Sequence, residues 1–254
     1  MCIGQGRAYE AACVLKFDFN ISPIIDKTIV VSVYTEEQLK RHWSSFDIDY
    51  TRLVFKTDKD IPLPNVWTEN HWYKQQAIKL YLLDTVDSDQ FLIQDCDLAC
   101  IKPFTAFVDN NPLFRVEGLW NEYQQIYSGA VYNLIGMDRI IPSSFVTEIM
   151  PYNKADWIDC CNLIQDRFKE SWLDAIPNLR AFDKIKWFSE YELLGIFKTN
   201  KDQNWSVTKD DHPIINSWAD FDQADWTNIP TIKFKARPLK FMSELEAHQI
   251  INTF

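Results

Sequence analysis

Asp95 and Asp97 stand two residues apart at the end of an apolar run, Gln90-Phe91-Leu92-Ile93-Gln94, with Cys96 between them. In an extended chain that spacing puts both carboxylates on one face. Two such groups a few ångströms apart repel each other unless a proton, a basic side chain or a divalent cation lies between them. Oxygen-only ligands suit Mg²⁺ or Mn²⁺, which keep waters and complete their shells with phosphate oxygens of a substrate. Two exposed aspartates opening a loop is the competing reading; the apolar run before them and Lys102-Pro103-Phe104 after them favour the cation site. Upstream, Lys74, Gln75 and Lys79 gather on one side of a helical pattern, placed either to meet a ligand or to form a solvated face. Ser189 and Glu192 fit a capping box, which leaves Glu190 at the first helical position, free to project from the helix end.

Elements of a particular kind are needed to hold these groups. Thr28 to Tyr34 (TIVVSVY) is short, β-branched and apolar, as a buried strand should be, and the helical stretch EEQLKRHWSSF follows it. It reads as the first strand, after an ambiguous start over residues 1–25. Thr51 to Lys56 is a second strand. Asn70 to Val86 reads as a helix with Tyr73, Ala77, Leu80 and Tyr81 on one face, and Gln90 to Ile93 as a strand running into the two acids. Strands alternating with helices predict βαβ units and a mainly parallel sheet, whose ligands bind beyond the carboxyl ends of the strands. Tyr34 and Asp58 fall at two such ends, where a base and ribose would rest; a turn-forming aspartate is the ordinary explanation for Asp58.

The 254 residues suit one α/β domain, with no repeat or Ser/Gly-rich linker to mark a boundary. Thirty-six acids against 26 Lys and Arg leave a charge of −10, which argues against a duplex-binding surface. No window approaches the roughly 18 apolar residues of a membrane span, and the start lacks the basic and apolar regions of a secretory signal, so a cytoplasmic location is expected. The six cysteines include no CxxC pair, and the adjacent Cys160 and Cys161 are awkward for a disulfide framework; reduced, buried thiols are expected.

The run HWYKQQAIKLYLLDTVDSDQFLIQDCDLACIKPF, residues 71–104, resembles the succession of W-x-K/R-Q-Q-x-x-K-L helix, apolar strand, D-x-D and P-F found in GT-A type glycosyltransferases, closest to a branch of bacterial and phage sugar transferases. KWFSEYELLGIF at 186–197 is similar to a second block of the same branch. The resemblance implies a single GT-A domain over 1–254, a Rossmann-like fold with a mainly parallel mixed central sheet flanked by helices. About 28–110 would form its nucleotide-binding part and about 111–254 its acceptor-binding part. It implies a sugar moved from a nucleotide-diphosphate donor, with UDP the family-level expectation, to a saccharide or other hydroxyl acceptor. Mn²⁺ or Mg²⁺ would sit on Asp97, with Asp95 beside it, and neutralise charge on the departing diphosphate. Lys74 and Gln75 match the family block as donor contacts. Glu190 matches too, as the base that would take the acceptor proton in an inverting reaction.

Tyr127 to Tyr132 is expected as a strand whose Gly129 lets backbone approach the donor sugar, unless it is a bulge or packing glycine. A third metal ligand is expected late in the chain, at His212, with Asn216 and His248 as competitors. Trp187 is a candidate sugar-stacking ring, with core packing the commoner role of such a residue. Two rivals remain. A haloacid-dehalogenase-type phosphatase also uses D-x-D, but near its N-terminus and with Thr or Val at the fifth position, where this chain has Ala99. A nucleotide- or sugar-binding protein on the same scaffold, without turnover, is the other.

Overall fold

A computed structural model describes residues 1–17, 25–118, 122–179, 188–209, 214–215, 232–234 and 242–253. In chain order the elements begin with β1 (Cys2–Ile3), α1 (Ala8–Phe17), β2 (Thr28–Ser32), α2 (Glu36–His42), β3 (Leu53–Thr57), α3 (Asn65–Thr68), α4 (His71–Thr85) and β4 (Gln90–Gln94). Next come β5 (Leu98–Ala99), β6 (Phe107–Val108), β7 (Asn111–Gly118), α5 (Glu122–Ile135), β8 (Ser143–Ser144), β9 (Ile149–Asn153), α6 (Lys154–Phe168) and α7 (Trp172–Asn178). The chain continues through α8 (Glu190–Lys201), β10 (Ser206–Lys209), β11 (Ile214–Ile215), β12 (Ile232–Phe234) and α9 (Glu244–Thr253). The fold is α/β, with parallel and antiparallel strand pairs flanked by helices. Among the described residues no helix is long and apolar enough to cross a membrane.

Two compact units are built from interleaved stretches of chain. One comprises Met1–Ile61, Gln94–Thr105 and Asp211–Phe254; the other comprises Pro62–Ile93 and Ala106–Asp210. In the first unit β3, β2 and β1 form a parallel sheet, with Thr28 to Ser32 opposite Leu53 to Thr57, and Cys2 and Ile3 opposite Val31 and Ser32. Val30 and Val31 of β2 are buried, with Leu39, Trp43 and the small face Ala8, Ala11 and Ala12 of α1. Small residues let that helix pack closely, its main neighbours being α9, β5 and α2. Thr28–Ser32 is therefore the second strand: residues 2 and 3 form the first, too short to show any period in the sequence.

The second unit packs around Trp67, Leu80, Leu83, Phe114, Phe145, Tyr152, Trp157, Leu193 and Leu194, among others. Its sheet has β10 parallel to β7, with β6 and β8 antiparallel to β7. α4 matches its sequence reading closely. Asn70 caps it by accepting the Trp72 N–H at 2.8 Å, and Tyr73, Gln76, Ala77, Leu80 and Leu83 make the buried face. Tyr127 to Tyr132 corrects another expectation: the segment lies inside α5 and is helical. Alternating small and aromatic residues there also satisfy a helical stripe, with Tyr127, Val131 and Leu134 facing the core.

Candidate functional site

In the first unit an isolated parallel bridge joins Cys2 to Asp95, on the far side of β1 from β2. Across this edge β3, β2 and β1 are followed by the Asp95 bridge, so the chain order changes direction at β1. That is the topological switch point, where loops diverge and open α/β sheets bind ligands at the carboxyl edge. The turn Gly4 to Arg7 follows β1 there, and Asp95 to Asp97 follows β4. Tyr34 and Asp58 stand beyond the ends of β2 and β3.

Four of the expected residues thus share one edge. Asp95 and Asp97 are half-buried. Asp97 accepts a bond from Arg7 Nη1 at its Oδ2, 3.0 Å away. Burial, the largest single influence, would lower the Arg7 pKa, but Asp97, Cys96 and Glu10 together outweigh it and hold the guanidinium above its ordinary range. The Tyr34 hydroxyl accepts the Gly6 N–H at 2.7 Å, and its ring meets His42 at 5.5 Å, with Tyr9 on His42 at 5.7 Å. Asp58 donates its backbone N–H to Ser32 O at 2.9 Å. Turn closure falls to Asp60, whose Oδ2 accepts the Thr57 N–H and hydroxyl at 2.7 and 2.8 Å. Glu10 is buried one turn into α1. Its Oε1 accepts the Met242 N–H at 3.4 Å, its Oε2 has no hydrogen-bond partner among the described residues, and burial pushes its carboxyl pKa up. The Cys96 thiol is likewise pushed up by burial, which disarms it as a nucleophile.

Arg7 and Glu10 were missed in the sequence reading. Gly4-Gln5-Gly6 after an apolar start, with Gly6 at φ 80° and a run of small residues behind it, was the available signal for a strand-turn-helix entry. For a divalent ion the donors fit in kind: two hard carboxylates, half-exposed, on neighbouring residues of one edge. Among the described residues no group of three or more His, Cys, Asp or Glu is arranged to hold a metal. His212 and Asn216 lie outside the described residues, as does Trp187. His248 stacks on Phe46 with centroids 4.3 Å apart.

Lys74, Gln75, Gly129 and Glu190 belong to the second unit. Lys74 and Gln75 are half-buried on α4, whereas Lys79 is buried and donates to Glu190 Oε1 at 2.6 Å and to the Tyr191 hydroxyl at 3.2 Å. Glu190 itself is 0% exposed, so it does not project freely from the helix end. Gln76 Oε1 accepts the Glu190 N–H at 3.1 Å, and Ser189 makes no side-chain cap bond. The expected capping box does not form, because Glu192 is drawn elsewhere. It accepts from Ser144 Oγ at 2.7 Å and Phe145 N at 3.2 Å, and pairs with Arg139 at 2.9 Å. Gly129 is exposed on α5, and a Cβ there would meet no described atom within 4 Å, so no close backbone approach accounts for the glycine.

The sequence model of a family of unknown function, DUF6492, matches residues 22–212. The chain belongs to that family. No curated protein matches this DUF6492 member in sequence. Among solved structures it is similar to the galactosyltransferase LgtC in complex with donor and acceptor sugar analogues, at 12% identity and a TM-score of 0.50, over 99% of this chain and 94% of that one. An active-site mutant of LgtC matches with a TM-score of 0.51 at 12% identity, over 99% and 92% of the two chains. The DUF6492 member therefore has the GT-A fold, a conclusion about architecture and not about chemistry.

Proposed function

We propose that this protein is a metal-dependent glycosyltransferase, a single GT-A domain that moves a sugar from a nucleotide-diphosphate donor, a UDP-sugar by class, to a saccharide or other hydroxyl acceptor. The observation that carries the reading is the seat of Asp95 and Asp97: the carboxyl edge of the β3-β2-β1 sheet, where Asp95 bridges to β1 beside the β1–α1 turn, at the switch point. Likeness of fold to a galactosyltransferase supports it.

In this reading Asp97 and Asp95 hold Mn²⁺ or Mg²⁺, with His212 as the proposed third ligand. The bound ion supplies Lewis-acid stabilisation of the leaving nucleoside diphosphate. Tyr34 and Asp58 take the base and ribose; the Tyr34 ring is already braced by His42 and anchored to the β1–α1 turn by Gly6. Lys74 and Gln75 are proposed donor contacts, and Gly129 belongs to the same proposal on the family match alone. For Glu190 the buried pair with Lys79 supports a positioning role, joining the start of α8 to α4, over the base expected from its place in the motif.

The test is a thermal-shift panel of nucleoside diphosphates and nucleotide sugars with and without Mn²⁺, since a ligand of the native state raises the melting temperature by mass action. One nucleotide is expected to stabilise the protein only with metal, and Asp97→Ala to abolish the shift. A panel with no shift for any nucleotide overturns the proposal. A phosphatase would instead release phosphate from small esters and leave nucleotide sugars intact.

A further inference from the structure

The Arg7 guanidinium reaches Asp97 through one nitrogen, Nη1 to Oδ2 at 3.0 Å, and this is its side-chain hydrogen bond among the described residues. An arginine whose task is to pair a carboxylate normally uses its fork, two parallel N–H groups on two oxygens. A one-point contact leaves the rest of the fork for a second anion. The side chain is 24% exposed, which is open enough to receive one. Its backbone is fixed on both sides: the Arg7 N–H donates to Gly4 O at 3.3 Å, and the Gly6 N–H to the Tyr34 hydroxyl at 2.7 Å. Arg7 is also the last residue before α1, so the guanidinium stands on the turn that faces the switch point. A cation held next to paired aspartates, yet not consumed by them, is suited to an anion that arrives with its own positive charge.

We propose that Arg7 reads the diphosphate of the donor: Asp97 aims its guanidinium through Nη1, and the remaining N–H groups bind phosphoryl oxygens. This rests on the nucleotide-sugar reading above and adds a residue to it. Arginine rather than lysine is the fitting side chain, because its planar fork matches two oxygens while an ammonium offers a point charge.

The experiment is calorimetric titration, in Mn²⁺, of wild type, Arg7→Lys and Arg7→Gln with five probes and their controls: UDP, GDP, ADP, CDP and inorganic pyrophosphate, against uridine, guanosine, adenosine and cytidine. Arg7→Gln is expected to weaken the diphosphate bound by wild type by roughly 10- to 100-fold, while the matching nucleoside changes by less than about twofold. Arg7→Lys should fall between, and its retained charge on Asp97 guards against a variant that fails to fold; melting temperatures identify that case. Equal diphosphate affinity in wild type and both variants overturns the role of Arg7 and leaves the transferase reading standing. An equal loss for nucleoside and diphosphate in the well-folded Arg7→Lys protein also overturns it, since Arg7 would then shape the turn. If wild type binds no diphosphate and no pyrophosphate, the donor reading itself fails and this inference falls with it.

Discussion

Glu10 shows how one buried side chain sets a pH response. Burial is the largest influence on its carboxyl and raises its pKa above the ordinary 4.5, against the lowering effect of its own backbone, Arg7 and the Met242 N–H. The folded state therefore holds the Glu10 proton more tightly than the unfolded chain does. As pH rises through 4.5 the unfolded state releases that proton first, so stability falls until the folded carboxyl has also ionised. Glu10→Gln keeps an oxygen for the Met242 N–H and removes the titration. Urea unfolding between about pH 4 and 8 should show the variant gaining on wild type as pH increases. A difference that stays constant across the range would refute this. Arg7, its neighbour at the turn, was invisible as a functional residue for a related reason: nothing in a lone arginine's spacing says which carboxylate it will meet 90 residues away.

At the scale of elements, α8 is the clearest case of a motif whose meaning changed on folding. Its sequence, Ser189-Glu190-Tyr191-Glu192, suggested a self-capped helix start with a free acid. In the fold Glu190 and Glu192 both turn inward to cations elsewhere in the chain, Lys79 of α4 and Arg139 of the connection between α5 and β8. At the other end Lys198 and Lys201 pair with Asp156 of α6 at 3.0 and 2.7 Å, an arrangement that also suits the helix dipole. Gly195 sits between these ends, and a Cβ there would fall inside the contact shell of the Phe145 ring. The glycine of the second block is thus a packing requirement of α8 against Phe145. Gly195→Ala should destabilise the protein by about 1–3 kcal/mol in denaturant unfolding, and by much less when Phe145→Ala has already vacated the space. Additive costs in that double-mutant cycle would show that Phe145 is not the obstacle.

The whole molecule keeps its reactive sulfur out of reach. Cys2, Cys13, Cys96, Cys100 and Cys160 are buried and Cys161 is half-buried, and all six are thiols in the structure. Burial pushes the Cys13, Cys160 and Cys161 thiols upward as it does Cys96, so little thiolate forms at neutral pH. Without reductant, six thiols should react with Ellman's reagent in denaturant and none rapidly in buffer; a count below six in denaturant would reveal a disulfide. Much of the rest was legible before folding. Thr28 to Ser32, His71 to Thr85 and Gln90 to Gln94 carry local signals strong enough to stand alone: a β-branched apolar run, a capped periodic helix, and an apolar strand ending in acids. The same signals placed Asp95, Asp97, Tyr34 and Asp58 at strand ends. What the chain alone determined was therefore the type of those three elements and the side of the sheet on which its acids emerge, because period and caps act within a few residues; over Tyr127 to Tyr132 the same local signal was ambiguous and the segment folded as helix. Tertiary structure alone decided that two residues, Cys2 and Ile3, make the strand that brings Arg7 to Asp97, and that Lys79 claims Glu190 in the core. Those pairings depend on contacts across 90 and 111 positions, where loop closure and burial, not local preference, choose the partner.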